Sequence, residues 1–384
     1  MSIDWLTEAE RAEPELTALR HAFHRCPEIG NREFLTAARI EDYLRGCGIE
    51  TKRLLGTAVI GRLRGAVSGP VAALRADMDA LPVQEATGAA FASEVEGMMH
   101  ACGHDVHITA ALGAAKLLAG HRHELPGSVV FLFQPDEEGG GGARRMIDEG
   151  VLEGVDAVFG CHVSPDLPLG HVGIKFGKFY AASDLFDLTL TGKSAHGAER
   201  EKGVDALAAA AELVGELLSL PERTPEARSV VSIGTLAAGT ARNIVAETAE
   251  LSGILRTLGP ENRIRMRSRI EETVRSLAAR TGVRAELRLR ESYPGIVNDE
   301  SMTRLAGDAA EALLGPGRVH VLSEPTMATE DFGCFLQERP GSFTHIGAGC
   351  TQPLHSSAFL PDDRAAVIAA ALHARLVSDF LSRG

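Results

Sequence analysis

Apolar positions recur along this chain in two rhythms, and the change from one to the other divides it. Residues 4–25 place Leu6, Leu16, Leu19 and Phe23 at helical spacing, with Pro27 as a stop. Residues 34–47 repeat the pattern with Leu35, Ile40 and Leu44, closed by Gly46 and Gly48. Two short β-like runs follow, Val59–Leu63 and Val71–Arg75, and then a helix of small and apolar residues from Ile108 to Leu118. Ser128–Phe133 and Ala157–Cys161 are nearly continuous apolar runs, as expected of strands covered on both faces. Helices alternating with such strands predict an α/β fold, a mixed, mostly parallel sheet flanked by helices.

From about residue 182 the pattern changes. Leu185–Leu190 alternates, an alanine-rich helix runs from Val204 to Leu218, and Val230–Ile233 and Ala249–Leu255 read as strands. A long helix then sets Met266, Ile270, Val274 and Leu277 on one face, and Arg284–Leu289 alternates again. The order β-α-β-β-α-β is that of a ferredoxin-like unit. Residues 182–290 are therefore expected as an insertion, with 1–181 and 291–384 forming one domain around it. The latter part carries a helix at 301–314, a strand at 342–346 and a closing helix from 364. The arginines at 263, 265, 267 and 269 read as a solvated helix face.

Composition narrows the class. A length of 384 residues with 45% hydrophobic positions supports two packed units. A net charge of −13 argues against a nucleic-acid partner, which calls for a basic face. Six cysteines without CxxC spacing suit free thiols in a reducing compartment. No apolar run approaches the roughly 18 residues of a membrane span, and the start lacks a signal-peptide pattern. The expectation is a soluble cytoplasmic protein.

Candidate chemistry gathers where strands end, as ligand-binding residues do in open α/β sheets. Met98–His107 holds a thiol, three imidazoles and a carboxylate just before a helix. Its plain alternative is a helix start with Asp105 as N-cap. Glu137-Glu138, His162 and His355 likewise end apolar runs, and Glu137-Glu138 alone also fits an acidic surface turn. Two metals about 3.5–4 Å apart need a bridging anion and terminal ligands. The candidates are Cys102, which can bridge, with His104, Glu138, His162 and His355. Glu137 beside Glu138 is the natural general base, and Asp79 could hold a ligand histidine by its second nitrogen. A rival reading makes Cys102 a nucleophile with His104 as its base. It leaves Glu138, His162 and His355 without a role.

These motifs resemble the aminoacylase and carboxypeptidase-G-type metallopeptidases, in the branch of hippurate hydrolases, N-acetyl-amino-acid deacetylases and plant auxin-conjugate amidohydrolases. The resemblance runs from Arg20–Glu28, with Glu33 and Thr36 in place, through Arg75–Pro82, Met99–His107, Gln134–Glu138 and Gly160–Val163 to Leu354–Ser356. It implies a zinc-peptidase-like catalytic domain with a ferredoxin-like lid that also dimerises. It implies two divalent ions per subunit, manganese or zinc, with cobalt or nickel possible alternatives. The substrate implied is a small N-acyl amino acid, and a dipeptide is the nearest alternative. By motif match Cys102 bridges, Glu137 is the base, and His196 reaches across a homodimer to the scissile carbonyl. Asn243 and Arg256 match positions associated with the substrate carboxylate. Two departures stand out: Asp77-Met78-Asp79 replaces the His-x-Asp of many relatives, and Arg200 stands where proline is common.

Overall fold

The computed structural model describes residues 3–224 and 228–383. Residues 1, 2 and 384 of the predicted catalytic domain and 225–227 of the predicted insertion lie outside them. The chain forms two compact units, Met1–Gly177 with Val297–Ser323 and Asp331–Gly384, and Lys178–Ile296 with Glu324–Glu330. The second is wider than the 182–290 expected from sequence and takes in a short later segment.

The first unit is built on an eight-stranded sheet. Its order is Glu50–Leu54, Ala58–Arg64, Ser128–Gln134, Val71–Asp77, Ala157–Ser164, Gly341–Gly347, Val172–Ile174, Val319–Val321. The four central strands are mutually parallel, and antiparallel neighbours flank them, so the sheet is mixed with a parallel middle. Alternate side chains of the central strands enter one large core. Leu74, Phe131, Phe133 and Phe159 pack there with helices Trp5–Arg25, His104–Gly120, Glu300–Leu314 and Arg364–Leu381. Small residues bring these helices close: a Cβ on Gly113 would lie 2.7 Å from Ala370 Cβ and 3.1 Å from Leu16. The other face of the strands is buried too, with Phe332 and Phe343 crowding Gly160. Burial on both faces explains the unbroken apolar runs, and the strands' carboxyl ends converge on one edge of the core.

The second unit is a four-stranded antiparallel sheet, ordered Arg284–Glu291, Ala182–Thr191, Thr248–Thr257, Ser229–Ala238. Helices Ala206–Leu218 and Pro260–Thr281 share its core. That is the ferredoxin-like arrangement. Its two edges differ in chemistry. Arg284, Glu286, Arg288 and Arg290 line one with charge, whereas the other exposes Val230 and Leu236. Of the four helix arginines read as solvated, Arg263 and Arg267 instead turn onto the buried Asp184 carboxylate, at 2.8 and 2.7 Å. A buried carboxylate needs such partners, and sequence spacing alone does not reveal it.

Candidate metal centre

The Cys-x-His motif depends on the residue between its ends. Gly103 caps the helix His104–Gly120 at φ 85°, in the left-handed region. A Cβ there would lie 2.5 Å from Val163 Cγ2. Only glycine fits both demands, and the tight turn turns the Cys102 thiol and the His104 imidazole inward, both buried.

The imidazoles are oriented from behind. His104 Nδ1 lies 2.8 Å from the Asp79 backbone carbonyl, and His162 Nδ1 lies 2.7 Å from that of Val163. A carbonyl only accepts, so each Nδ1 carries a proton and each Nε2 is the atom turned to the site. His162 Nε2 faces the Cys102 sulfur at 3.3 Å. His104 Nε2 is buried with no hydrogen-bond partner; Asp77 Oδ2 stands 3.5 Å away. His355 approaches from a loop at φ 64°, its amide donating to the Ala101 carbonyl. Its Nε2 lies 3.1 Å from Glu138 Oε1. Glu137 and Glu138 follow Asp136, another non-glycine residue at positive φ (60°). That turn bends consecutive side chains toward one place, which a straight strand would not.

Three donor sets result, each with its ligand atoms within 4.8 Å of one another: Cys102, His104 and His162; Cys102, Glu138 and His355; His104, Glu137 and Glu138. Cys102 belongs to two of them and His104 to two. Asp77, His104 and His107 meet the same distance, but His107 is already engaged. Its Nδ1 donates to Asp77 Oδ1 at 2.7 Å and its Nε2 accepts the Val163 amide at 2.9 Å.

The electrostatics ask for a cation. Burial, and then Glu138 and Glu137, push the Cys102 thiol well above its ordinary range. Burial draws the His104 pKa down, yet Asp77, Asp79 and Glu138 outweigh it and raise it to about 10. Burial and the carboxylates favour the neutral thiol, and divalent cations would reverse the balance and take the thiolate as ligand. The sulfur, imidazole and carboxylate donors, together with the partnerless His104 Nε2, fit such ions.

Asp79 meets His104 Nδ1 with two groups, its backbone carbonyl at 2.8 Å and its carboxylate Oδ1 at 3.4 Å, while Oδ2 accepts the Glu138 amide at 2.9 Å. Asp77, a strand-end carboxylate, and His107, expected behind the ligands or at the surface, prove to be joined to each other, while the roles of Arg75, Gln134 and Asp331 escaped sequence reasoning. Arg75, buried, donates to Asp77 Oδ2 (2.7 Å), Gln134 Oε1 (2.9 Å) and Asp331 Oδ1 (2.9 Å). An arginine within an apolar strand was the available signal.

In the second unit, His196 and Asn243 lie together. His196 bridges to Ile244, and the Gly197 amide donates to the Asn243 carbonyl at 2.8 Å. Arg256 sits near the far end of the strand that starts at Thr248, bonded to the Met327 carbonyl at 2.9 Å. Eight residues of antiparallel strand span about 27 Å, so one such unit does not bring Arg256 to His196.

A parallel-centred sheet, a ferredoxin-like insertion and clustered sulfur, imidazole and carboxylate donors are the features of a metallohydrolase. Residues 73–379 match the model for peptidase family M20/M25/M40, and the chain belongs to that family. It is a metal-dependent amidohydrolase. It is 38% identical over 365 residues to the N-acetylcysteine deacetylase of Bacillus subtilis, covering 94% of this chain and 95% of that one. It is 34% identical over 378 residues to the IAA-amino acid hydrolase ILR1-like 4 of Arabidopsis thaliana, covering 95% and 86%. Among solved structures, the Bacillus subtilis YXEP protein, a dinuclear metal binding peptidase of the M20 family, superposes with a TM-score of 0.88. It is 36% identical, with 97% of this chain and 99% of that one covered.

Proposed function

We propose that this chain hydrolyses small N-acyl amino acids to a carboxylic acid and a free amino acid. Two divalent ions would be held by Cys102, His104, Glu138, His162 and His355, with Cys102 shared. The partnerless, buried His104 Nε2 amid two donor sets carries this reading. Thiolate with imidazole suits zinc, and manganese is the other candidate. Once bound, the ions would supply Lewis acidity, acidifying water and polarising the substrate carbonyl.

The chain's own groups do the rest. Asp79 orients His104 through its carbonyl and the Glu138 segment through its carboxylate. Glu137 takes a proton from the attacking water and passes it to the leaving amine nitrogen, a contribution of about 10²–10⁴-fold. His196 stabilises the oxyanion, and Asn243 and Arg256 take the substrate carboxylate.

The distance along one lid between Arg256 and the paired His196 and Asn243 favours a homodimer, with His196 and Asn243 serving the partner's site. The uncharged sheet edge at Ser229–Ala238, beside exposed Leu207 and Ile244, is the surface we assign to pairing. The opposite edge is blunted by charge, as unpaired edges are. The cysteines, none of them in a disulfide, fit the reducing cytoplasm, and among the described residues no helix is long and apolar enough to cross a membrane.

The deacetylase and the IAA-amino acid hydrolase differ in acyl group and share an acylated amino acid, which supports the substrate class. The test is a panel of N-acetyl, N-benzoyl and dipeptide substrates, assayed after chelation and re-addition of single metals. Turnover of N-acyl amino acids restored by metal supports the reading. Turnover of dipeptides alone would move it to a dipeptidase.

A further inference from the structure

The turn that delivers Glu137 and Glu138 is held from outside, by Asn31, which no motif singles out, and by Glu33, which the resemblance marks without a role. Asp136 sits at φ 60°, a conformation that costs a non-glycine residue energy unless its surroundings impose it. Here they do. Its amide donates to Glu33 Oε1 at 3.0 Å, and its Oδ2 accepts the Asn31 side-chain amide at 2.6 Å. Asn31 is itself left-handed, at φ 62°, and Arg145 donates to its Oδ1 at 2.7 Å. The Asp136 carboxylate fills a slot between two glycines: a Cβ on Gly30 would lie 2.2 Å from Asp136 Oδ1, and one on Gly139 would lie 2.3 Å from it. Behind the turn, the Gly141 amide donates to the Asp136 carbonyl at 2.9 Å. Glu33 is fully buried, an expensive place for a carboxyl unless it makes a needed bond.

We propose that Glu33 and Asn31 are positioning residues that lock Asp136 in its left-handed conformation and so aim Glu137 and Glu138. The proposal rests on the roles given above to those two carboxylates. Released, Asp136 returns to the ordinary negative-φ region, the next two side chains swing, and both the base and a metal ligand lose their aim. The two bonds reach different atoms, which makes their effects separable. Glu33 holds a backbone amide that every residue at 136 retains, whereas Asn31 holds a side chain.

The experiment measures kcat, KM and the rate of metal loss to a chelator, on variants checked for folding by circular dichroism. Glu33→Ala is expected to lower kcat by about 10–100-fold, since misplacing a reacting group by an ångström costs up to about 10²-fold. KM should change little and metal should leave faster. Glu33→Gln keeps an oxygen that accepts the Asp136 amide and should recover most of kcat, which a role based on charge would not. Asn31→Gly preserves the left-handed backbone at an exposed site, so it folds if Glu33→Ala does not, and should lower kcat and speed metal loss more mildly. In an Asp136→Gly background Asn31→Gly should add nothing, while Glu33→Ala still acts. Glu137→Gln serves as a separate control. If it keeps wild-type turnover, the base assignment fails, and the metal-loss rates still decide the positioning claim. Folded Glu33→Ala and Asn31→Gly with wild-type metal-loss rates overturn the proposal, as does a Glu33→Gln defect equal to that of Glu33→Ala.

Discussion

Gly103→Ala tests whether the Cys-x-His turn is as constrained as its geometry indicates. Two costs add. Placing a non-glycine residue in the left-handed region costs about 1–2 kcal/mol, and forcing a methyl into a filled core costs about 1–3 kcal/mol. The first follows from φ 85° and the second from the 2.5 Å approach to Val163 Cγ2. Together they make about 2–5 kcal/mol, a large part of the 5–15 kcal/mol typical of a folded protein. Gly97→Ala is the control: its φ is 72° but no atom lies within 4 Å, so only the conformational cost applies. Val163→Ala removes the methyl that collides and should partly rescue Gly103→Ala, although alone it opens a cavity. The assays are urea denaturation of the chelated proteins and metal content of the untreated ones. Gly103→Ala should be less stable than Gly97→Ala and should hold less metal, because both flanking side chains shift. Equal stability of the two variants, or no coupling with Val163→Ala, would refute the reasoning.

The remaining expectations are briefer. Burial alone would lower the His24 pKa, but the paired Asp105 and Glu85 raise it from 6.5 to about 9. A raised folded-state pKa gives stability that is full below pH 6.5 and lost as pH climbs through 9, on the order of 3 kcal/mol. Denaturation of wild type and His24→Gln across pH 6–10 should show the gap closing toward alkaline pH; a constant gap refutes it. His196→Ala and Glu137→Ala should each be nearly inactive. Mixed, they should regain about a quarter of wild-type activity, because random pairing of two-fold dimers makes half of them mixed, with one intact site in two. Full exchange by native mass spectrometry without recovery would rule out a shared site.

Much of the fold was legible because burial on both strand faces writes itself as unbroken apolar runs. Ser128–Gln134 and Ala157–Ser164 needed no other signal, and the chemistry at their ends stood out against them. The three-residue strands Val172–Ile174 and Val319–Val321 are too short for a period to register. The transfer of Glu324–Glu330 to the second unit is a long-range contact with no local pattern. At the site, the residue types of the donor sets and Asp79 behind a histidine were readable, but which groups the supports use was not. That Asp79 uses its carbonyl on His104, that His107 is spent between Asp77 and the Val163 amide, and that Asp136 is held left-handed by Glu33 depend on backbone placement. Spacing along a chain carries no record of which backbone group a side chain will meet.

The most direct measurement compares Glu137→Gln with Glu138→Gln by elemental analysis and by turnover of an N-acyl amino acid. Neighbours in sequence, the two carboxylates are given different work, proton transfer for one and metal binding for the other. Glu137→Gln should keep its metals and lose about 10²–10⁴-fold in kcat, while Glu138→Gln should lose metal as well as activity. A Glu137→Gln protein stripped of metal beside a fully loaded Glu138→Gln would contradict the account.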